Sequence, residues 1–172
     1  MIHDIKKIKL IVSDFDGVLT DGKLFVTSRG ESLFCYNAKD IIGFNILGFS
    51  DIRSVIITGN NSTLIHNSFK NVVDGIYLNV RNKLHRLKII LSSMNLEFEN
   101  VAYIGDDWND FLAMKNCYKI CPNNVSDLFS KEMDFICKNR AGEGVAREAI
   151  EHILNQKGDY NNVMELYFKA KS

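Results

Sequence analysis

Apolar residues along this chain gather into short, β-branched runs: "KLIVSD" from Lys9, "RSVIITGN" from Arg53, "GIYLN" from Gly75, "VAYIGDD" from Val101, "YKICPN" from Tyr118 and "DFICKN" from Asp134. Continuous apolar runs of this length fit strands buried on both faces, and most of them end in Gly, Asn or Asp. Stretches with helical spacing separate them. "NSTLIHNSFKNV" offers Asn61 or Ser62 as a helix N-cap, and "NKLHRLKIILSSM" carries Leu84, Leu87, Leu91 and Met94 along one side. Strands alternating with helices predict an α/β fold: three layers around a mostly parallel sheet, Rossmann-like in plan. "KLFVTSRGESLFCYN" breaks the rhythm, because two strand-like runs flank the turn residues "TSRG"; it reads as a projecting β-hairpin at about residues 23–36. Alternation along those strands puts Leu24, Phe25, Val26, Leu33, Phe34 and Tyr36 on both faces of the ribbon, more apolar surface than its own domain can cover. Near the end, Val163, Leu166 and Tyr167 share one face of a helix expected over about 159–171, a pattern for docking onto the domain.

Composition narrows the picture. The 172 residues are 46% hydrophobic and 24% charged, which suits one globular domain spanning 1–172. Lys plus Arg and Asp plus Glu stand at 21 each, so no global field argues for a nucleic acid or a membrane surface as partner. The N-terminal apolar run is cut by Asp14 and Asp16 after a few residues, too soon for a signal peptide or a membrane span. Cys35, Cys117, Cys121 and Cys137 form no CxxC pair and sit mostly among apolar residues, which reads as reduced thiols in a cytoplasmic protein. His3, His66, His85 and His152 share no motif and read as surface or helix-face residues, and Trp108 as packing.

In a parallel sheet, ligands bind beyond the carboxyl ends of the strands. Asp14 and Asp16 follow the first candidate strand, Thr58 and Gly59 the second, and Asp106, Asp107 and Asp110 the fourth; Lys83 opens the helix before that strand. One such group alone reads as a turn or a cap. Three groups and a lysine at one edge read as a site. Carboxylates gathered in one cleft raise each other's pKa unless a cation sits among them, and magnesium prefers a few carboxylate oxygens together with phosphate oxygens. Asp14 and Asp106 can supply those carboxylates. Asp14 is then placed for in-line attack on phosphorus, giving an aspartyl-phosphate. Asp16, two residues on in extended chain, faces the same side and can protonate the leaving alcohol and later take a proton from water. The Thr58 hydroxyl and Gly59 amide suit phosphate oxygens, Lys83 suits the charge on the transferring group, and glycine at 17 and 59 lets backbone amides come close.

"DFDGVLTDG", "IITGN", Lys83 in "NKL" and "GDDWND" resemble, in order and spacing, the four signature motifs of the haloacid dehalogenase superfamily. The resemblance implies a magnesium-dependent phosphatase. Asp14 is then nucleophile and metal ligand, Asp16 the acid/base whose main-chain carbonyl also reaches the metal, and Gly17, Thr58, Gly59, Asn60 and Lys83 bind substrate. Asp106 completes the metal site, with Asp107 and Asp110 as further ligands or supports. No room exists for a cap domain between the motifs. That bare arrangement, with "GE" at Gly30 and Glu31, "YNAKD" before Gly43 and "RAGEGVAREAIEHIL", is similar to the capless phosphatases of 3-deoxy-D-manno-octulosonate 8-phosphate and of nonulosonate 9-phosphates. Such enzymes are homotetramers with hairpins at the centre, and by this resemblance "NRAGEG" is a mobile loop with Arg140 offered to a phosphorylated sugar acid. The chain departs from that group at Asn60, where the octulosonate enzymes have Arg and the nonulosonate enzymes Glu, and at Ile41, Ser68 and Asn71.

Two other classes compete. A phospho-accepting receiver also uses acids, a Thr and a Lys on a parallel sheet, but its phosphoacceptor follows a central strand rather than lying in a DxD on the first. A non-catalytic oligomeric scaffold would have no reason to keep every catalytic position filled.

Overall fold

The computed structural model describes residues 3–30 and 32–172, so Glu31 of the "GE" motif lies outside the described residues. In chain order the elements are β1 (Leu10–Ser13), β2 (Phe25–Val26), β3 (Ser32–Leu33), α1 (Ala38–Leu47), β4 (Arg53–Ile57), α2 (Thr63–Phe69), β5 (Gly75–Tyr77), α3 (Lys83–Met94), β6 (Val101–Ile104), α4 (Trp108–Met114), β7 (Tyr118–Cys121), α5 (Asp127–Ser130), β8 (Phe135–Ile136), α6 (Val145–Lys157) and α7 (Tyr160–Lys169). Each of the six β-branched runs contains one sheet strand.

Those six strands form one sheet in the order β5-β4-β1-β6-β7-β8, parallel at every pairing. The chain builds outward from β1 through β4 to β5, then crosses to β6 and builds outward the other way. The point where direction reverses lies between β1 and β6, which places a cleft beyond their carboxyl ends.

Alternation along the strands sorts the core into two layers. Ile11, Ile56, Ala102, Ile104 and Ile120 face one side, against Phe44 and Leu47 of α1, Phe69 of α2 and Ile150 of α6. Leu10, Val12, Val55, Ile57, Val101 and Tyr103 face the other, against Leu87 and Ile90 of α3 and Met114 of α4. Both faces are therefore covered, which is why the strands read as unbroken apolar runs. Ser62 caps α2, its side chain accepting from Leu64 N–H, and Asn82 caps α3 by accepting from His85 N–H at 2.9 Å. α7 docks by Val163 and by Tyr167, whose ring meets Phe49 edge-on at 5.7 Å; Leu166 stays largely exposed. No helix among the described residues is long and apolar enough to cross a membrane.

The hairpin pairs Phe25 with Leu33 and Val26 with Ser32. Its base is anchored: Phe34 lies edge-on to Phe15 at 5.1 Å and Tyr36 tilts against Phe69 at 5.1 Å. Beyond that base Leu24, Phe25, Val26 and Leu33 are each more than half exposed. Phe34 and Tyr36 thus belong to the domain's own core, and the uncovered apolar surface is confined to the other four.

Candidate active site

β1 carries the DxD segment to the sheet edge. Asp14 N–H continues the ladder to Ile104 C=O at 2.9 Å, and the next residue, Phe15, is fully buried in the core. With Phe15 facing inward, Asp14 and Asp16 face the cleft. Gly17 follows at φ +84°, and a Cβ there would come within 1.9 Å of Asp106 Oδ2, so only glycine lets this turn pass the carboxylate. Gly105 serves a similar approach just after β6: a Cβ there would lie 2.8 Å from Asp110 Cβ.

Asp14, Asp106 and Asp110 each bring a carboxylate oxygen within 4.8 Å of the others. One ammonium reaches into the group. Lys83, the first residue of α3, is 5% exposed and places Nζ 2.8 Å from Asp14 Oδ1 and 2.7 Å from Asp110 Oδ1. The Tyr103 hydroxyl donates to Asp110 Oδ1 at 2.9 Å from within β6. Three carboxylates against one cation leave negative charge in excess. Burial, with Asp110 adding to it, pushes the Asp14 carboxyl well above the usual range despite Lys83. Burial and Asp110 likewise push Asp106 up to about 7. Burial alone would lower the Lys83 ammonium, but Asp14 and Asp110 outweigh it and hold it charged. Such a cluster fits a hard divalent cation, which would relieve the repulsion. Asp110 Oδ2 fits one too: it is buried and has no hydrogen-bond partner among the described residues.

The remaining predicted residues divide. Thr58 is buried and accepts Asn60 N–H on Oγ1 at 3.0 Å, which leaves its hydroxyl proton to be donated. Gly59 is exposed beside it, and Asn60 donates Nδ2–H to Asp16 Oδ2 at 3.1 Å. Asp107 is not brought into the carboxylate group: it is the N-cap of α4, accepting Trp108 N–H at 2.7 Å, because a helix beginning right after it leaves amides in want of an acceptor. Asp110, one turn along α4, takes the inward position instead. Trp108 packs edge-on to Phe129 at 5.4 Å while remaining about half exposed.

Arg140 is exposed on the segment after β8. That segment is tethered, with Ala141 N–H donating to Asn124 Oδ1 at 2.7 Å and Gly142 N–H to Val18 C=O at 3.0 Å. It closes one wall of a cavity of about 270 Å³ lined by Gly17, Gly22, Asp106, Asp107, Asn124 and Ala141. Among the described residues Asp14, Asp106 and Asp110 are the one group with metal-ligand spacing. Cys117 and Cys121 stand apart as buried thiols, each pushed up to about 12 by burial.

Sequence reasoning missed Tyr103 and Asn124. A tyrosine inside a fully buried strand carries a hydroxyl that must find a partner, and that signal was available for Tyr103. Asn124 carried none, since its role depends on a loop seventeen residues away.

A model of the haloacid dehalogenase-like hydrolases matches residues 50–148. The chain belongs to that family. It is 30% identical over 155 residues to the 3-deoxy-D-manno-octulosonate 8-phosphate phosphatase of Escherichia coli (strain B / BL21-DE3), covering 89% of this chain and 82% of that one. Among solved structures, the Moraxella catarrhalis enzyme of the same name, crystallised with magnesium, phosphate and a KDO molecule, superposes with a TM-score of 0.89 at 28% identity over 95% of each chain. The cobalt-bound Haemophilus influenzae phosphatase gives 0.85 at 25% identity, over 91% of this chain and 92% of its own. This haloacid dehalogenase-like chain is an enzyme, a phosphatase of the phosphoric monoester hydrolase class.

Proposed function

We propose that the enzyme is a magnesium-dependent phosphatase that dephosphorylates a sugar acid of the 3-deoxy-D-manno-octulosonate 8-phosphate type through an aspartyl-phosphate on Asp14. The observation that carries this reading is the buried Asp14–Lys83–Asp110 arrangement, with Asp106 beside it, at the β1/β6 switch point.

Asp14, Asp106 and the main-chain carbonyl of Asp16 would hold magnesium, with Asp110 at the back of the group. Bound there, the ion supplies positive charge against the carboxylates and the phosphate oxygens. Lys83 aims the Asp14 carboxylate and, together with the charge a bound cation would add, favours its ionised form against the burial that opposes it, so that Asp14 attacks phosphorus as the bond to the sugar oxygen breaks. Asp16 gives its proton to that leaving oxygen. In the second half, Asp16 takes a proton from the water that cleaves the acyl-phosphate and regenerates Asp14. The Thr58 hydroxyl and the Gly17 and Gly59 amides hold phosphate oxygens, and Arg140, exposed next to the cavity-lining Ala141, reaches the sugar acid.

The enzyme works as a single domain spanning 1–172, in the cytoplasm, where free thiols at all four cysteines are stable. It assembles as a homotetramer through the uncovered hairpin tips. Asn60, in the position held by Arg in octulosonate enzymes and Glu in nonulosonate enzymes, keeps a nonulosonate 9-phosphate as the second candidate substrate.

The deciding measurement is phosphate release, with magnesium, from 3-deoxy-D-manno-octulosonate 8-phosphate and from a nonulosonate 9-phosphate, compared with a generic aryl phosphate. A higher kcat/KM on the octulosonate supports the assignment; preference for the nonulosonate replaces the substrate. Absence of magnesium-dependent release from all three removes the reading.

A further inference from the structure

Asn60 is fastened at four points. Its backbone N–H donates to Thr58 Oγ1 at 3.0 Å, and its backbone carbonyl accepts Asn79 N–H at 2.9 Å. Its side-chain oxygen accepts Ser62 N–H at 3.0 Å, next to the start of α2, and its side-chain nitrogen donates to Asp16 Oδ2 at 3.1 Å. Reversing the amide would set its oxygen against a carboxylate and its NH2 against a backbone N–H, so the partners fix its orientation. Among the described residues Asn60 is the one hydrogen-bond partner of the Asp16 carboxylate.

We infer that Asn60 is a positioning residue for the acid/base Asp16, and that it selects which oxygen of that carboxyl carries the proton. The inference rests on the phosphatase reading above. A carboxyl oxygen that accepts a hydrogen bond is a poor place for the acid's own proton, so with Oδ2 engaged the proton resides on Oδ1. Without Asn60, Asp16 rotates about its side-chain bonds and shares the proton between both oxygens. With Asn60, Thr58 and Asp16 are joined through one residue, and the proton donor is registered to the phosphate-binding turn after β4. As the Asp14–phosphorus bond forms and the phosphorus–oxygen bond breaks, the departing oxygen takes the Oδ1 proton.

The test uses the dependence on the leaving group. An alkyl alkoxide needs that proton to depart, whereas para-nitrophenolate departs with little help. The wild type and Asn60→Ala are compared by kcat/KM on glycerol phosphate and on para-nitrophenyl phosphate, each with magnesium. This parameter covers steps only through departure of the leaving group. The ratio of the two values is independent of the folded fraction of a preparation. The ratio, glycerol phosphate over para-nitrophenyl phosphate, is expected to fall about tenfold in Asn60→Ala, within the usual worth of a positioned general acid. Asn60→Asp keeps the acceptor for Ser62 N–H while replacing the donor by a carboxylate, and should lower the ratio at least as much. An unchanged ratio in both variants, whatever the overall loss, overturns the inference, because a merely structural residue would slow both substrates alike. Failure of the phosphatase reading looks different: wild-type enzyme would release phosphate from neither ester, or Asp14→Asn would keep its activity.

Discussion

Asp14 and Asp110, far apart in sequence, meet across one ammonium: Lys83 Nζ lies 2.8 Å from the first and 2.7 Å from the second. Lys83 neutralises a buried carboxylate pair and, in the proposed mechanism, also aims the nucleophile. Lys83→Met keeps the length of the side chain and removes the charge. The expected result is a fall in kcat of at least about 100-fold, as for loss of a charged group at the reacting centre. The metal-free protein should also lose on the order of 3 kcal/mol, because two buried carboxylates are left facing each other. Steady-state kinetics and urea unfolding check the two halves; a variant within a few-fold of wild-type kcat would remove Lys83 from the chemistry.

Asp14→Asn should abolish phosphate release with the fold intact, since an amide is a poor nucleophile and brings no negative charge to the cation. Asp16→Asn should be severe as well, and the phosphorylated form should persist where hydrolysis is the slower half. Acid-quenched protein incubated with a radiolabelled phosphate ester reads that intermediate directly. Label retained on Asp14→Asn would move the nucleophile elsewhere.

EDTA should silence the enzyme and added magnesium restore it. The metal should also raise the melting temperature, because a cation that binds the native carboxylate group and not the unfolded chain stabilises by mass action. Asp106→Asn should weaken that rise. Activity that persists in excess chelator would reject the metal-assisted mechanism.

How much of this was legible in the chain depends on whether a residue's role is local. That Asp14 and Lys83 meet was legible because three polar groups and a lysine fall at one edge of the sheet, where any one group alone would read as a turn or a cap. The choice between Asp107 and Asp110 was not: both follow β6, and only the start of α4 at Trp108 assigns Asp107 to the cap and turns Asp110 inward. Phe34 and Leu33 are adjacent and equally apolar, yet Phe34 packs on Phe15 and Leu33 stays exposed. The register and attitude of the hairpin decide that, and its composition does not carry them. The contact between Asn60 and Asp16 needed the distance between two loops.

Asp40 supplies a pH-dependent test of the scaffold. It sits fully buried on α1 and accepts Arg147 N–H at 2.9 Å, capping α6, whose own N-cap, Gly144, has no side chain. Burial raises its carboxyl from 3.8 to about 6, against the pull of the Arg147 and Ala146 amides. The folded protein thus holds a proton there that the unfolded chain has released. The contribution is fully present below about pH 4 and is lost as pH rises through about 6, on the order of 3 kcal/mol in all. Asp40→Asn keeps an acceptor for the amide and cannot titrate. Its stability in urea should vary less between pH 4 and 6 than that of the wild type, and at pH 7 it should equal or exceed it. Parallel curves for the two proteins would show that Asp40 does not titrate in this window.

The hairpin tip gives the last prediction. Phe25 and Leu33 pair across the ribbon, and Leu24 and Val26 alternate to its other face, so apolar side chains more than half exposed project on both sides. A two-stranded ribbon is marginal in water by itself, and among the described residues this one is anchored to the domain at its base, by Phe34 and Tyr36. Such a patch suits association, and pairing between copies would bury it in a closed assembly. Leu24→Asp with Leu33→Asp places a charge on each face of the tip and spares Phe34, whose loss would disturb Phe15 between Asp14 and Asp16. By light scattering the wild type should have the mass of a tetramer, and the double variant that of a smaller species. If, in the proposed tetramer, a neighbouring subunit helps to close each active site, activity on the proposed sugar acid phosphate should fall more than activity on a small aryl phosphate, because only the larger substrate would extend that far. A wild-type protein that is monomeric and fully active at assay concentration would show that the tip has some other use.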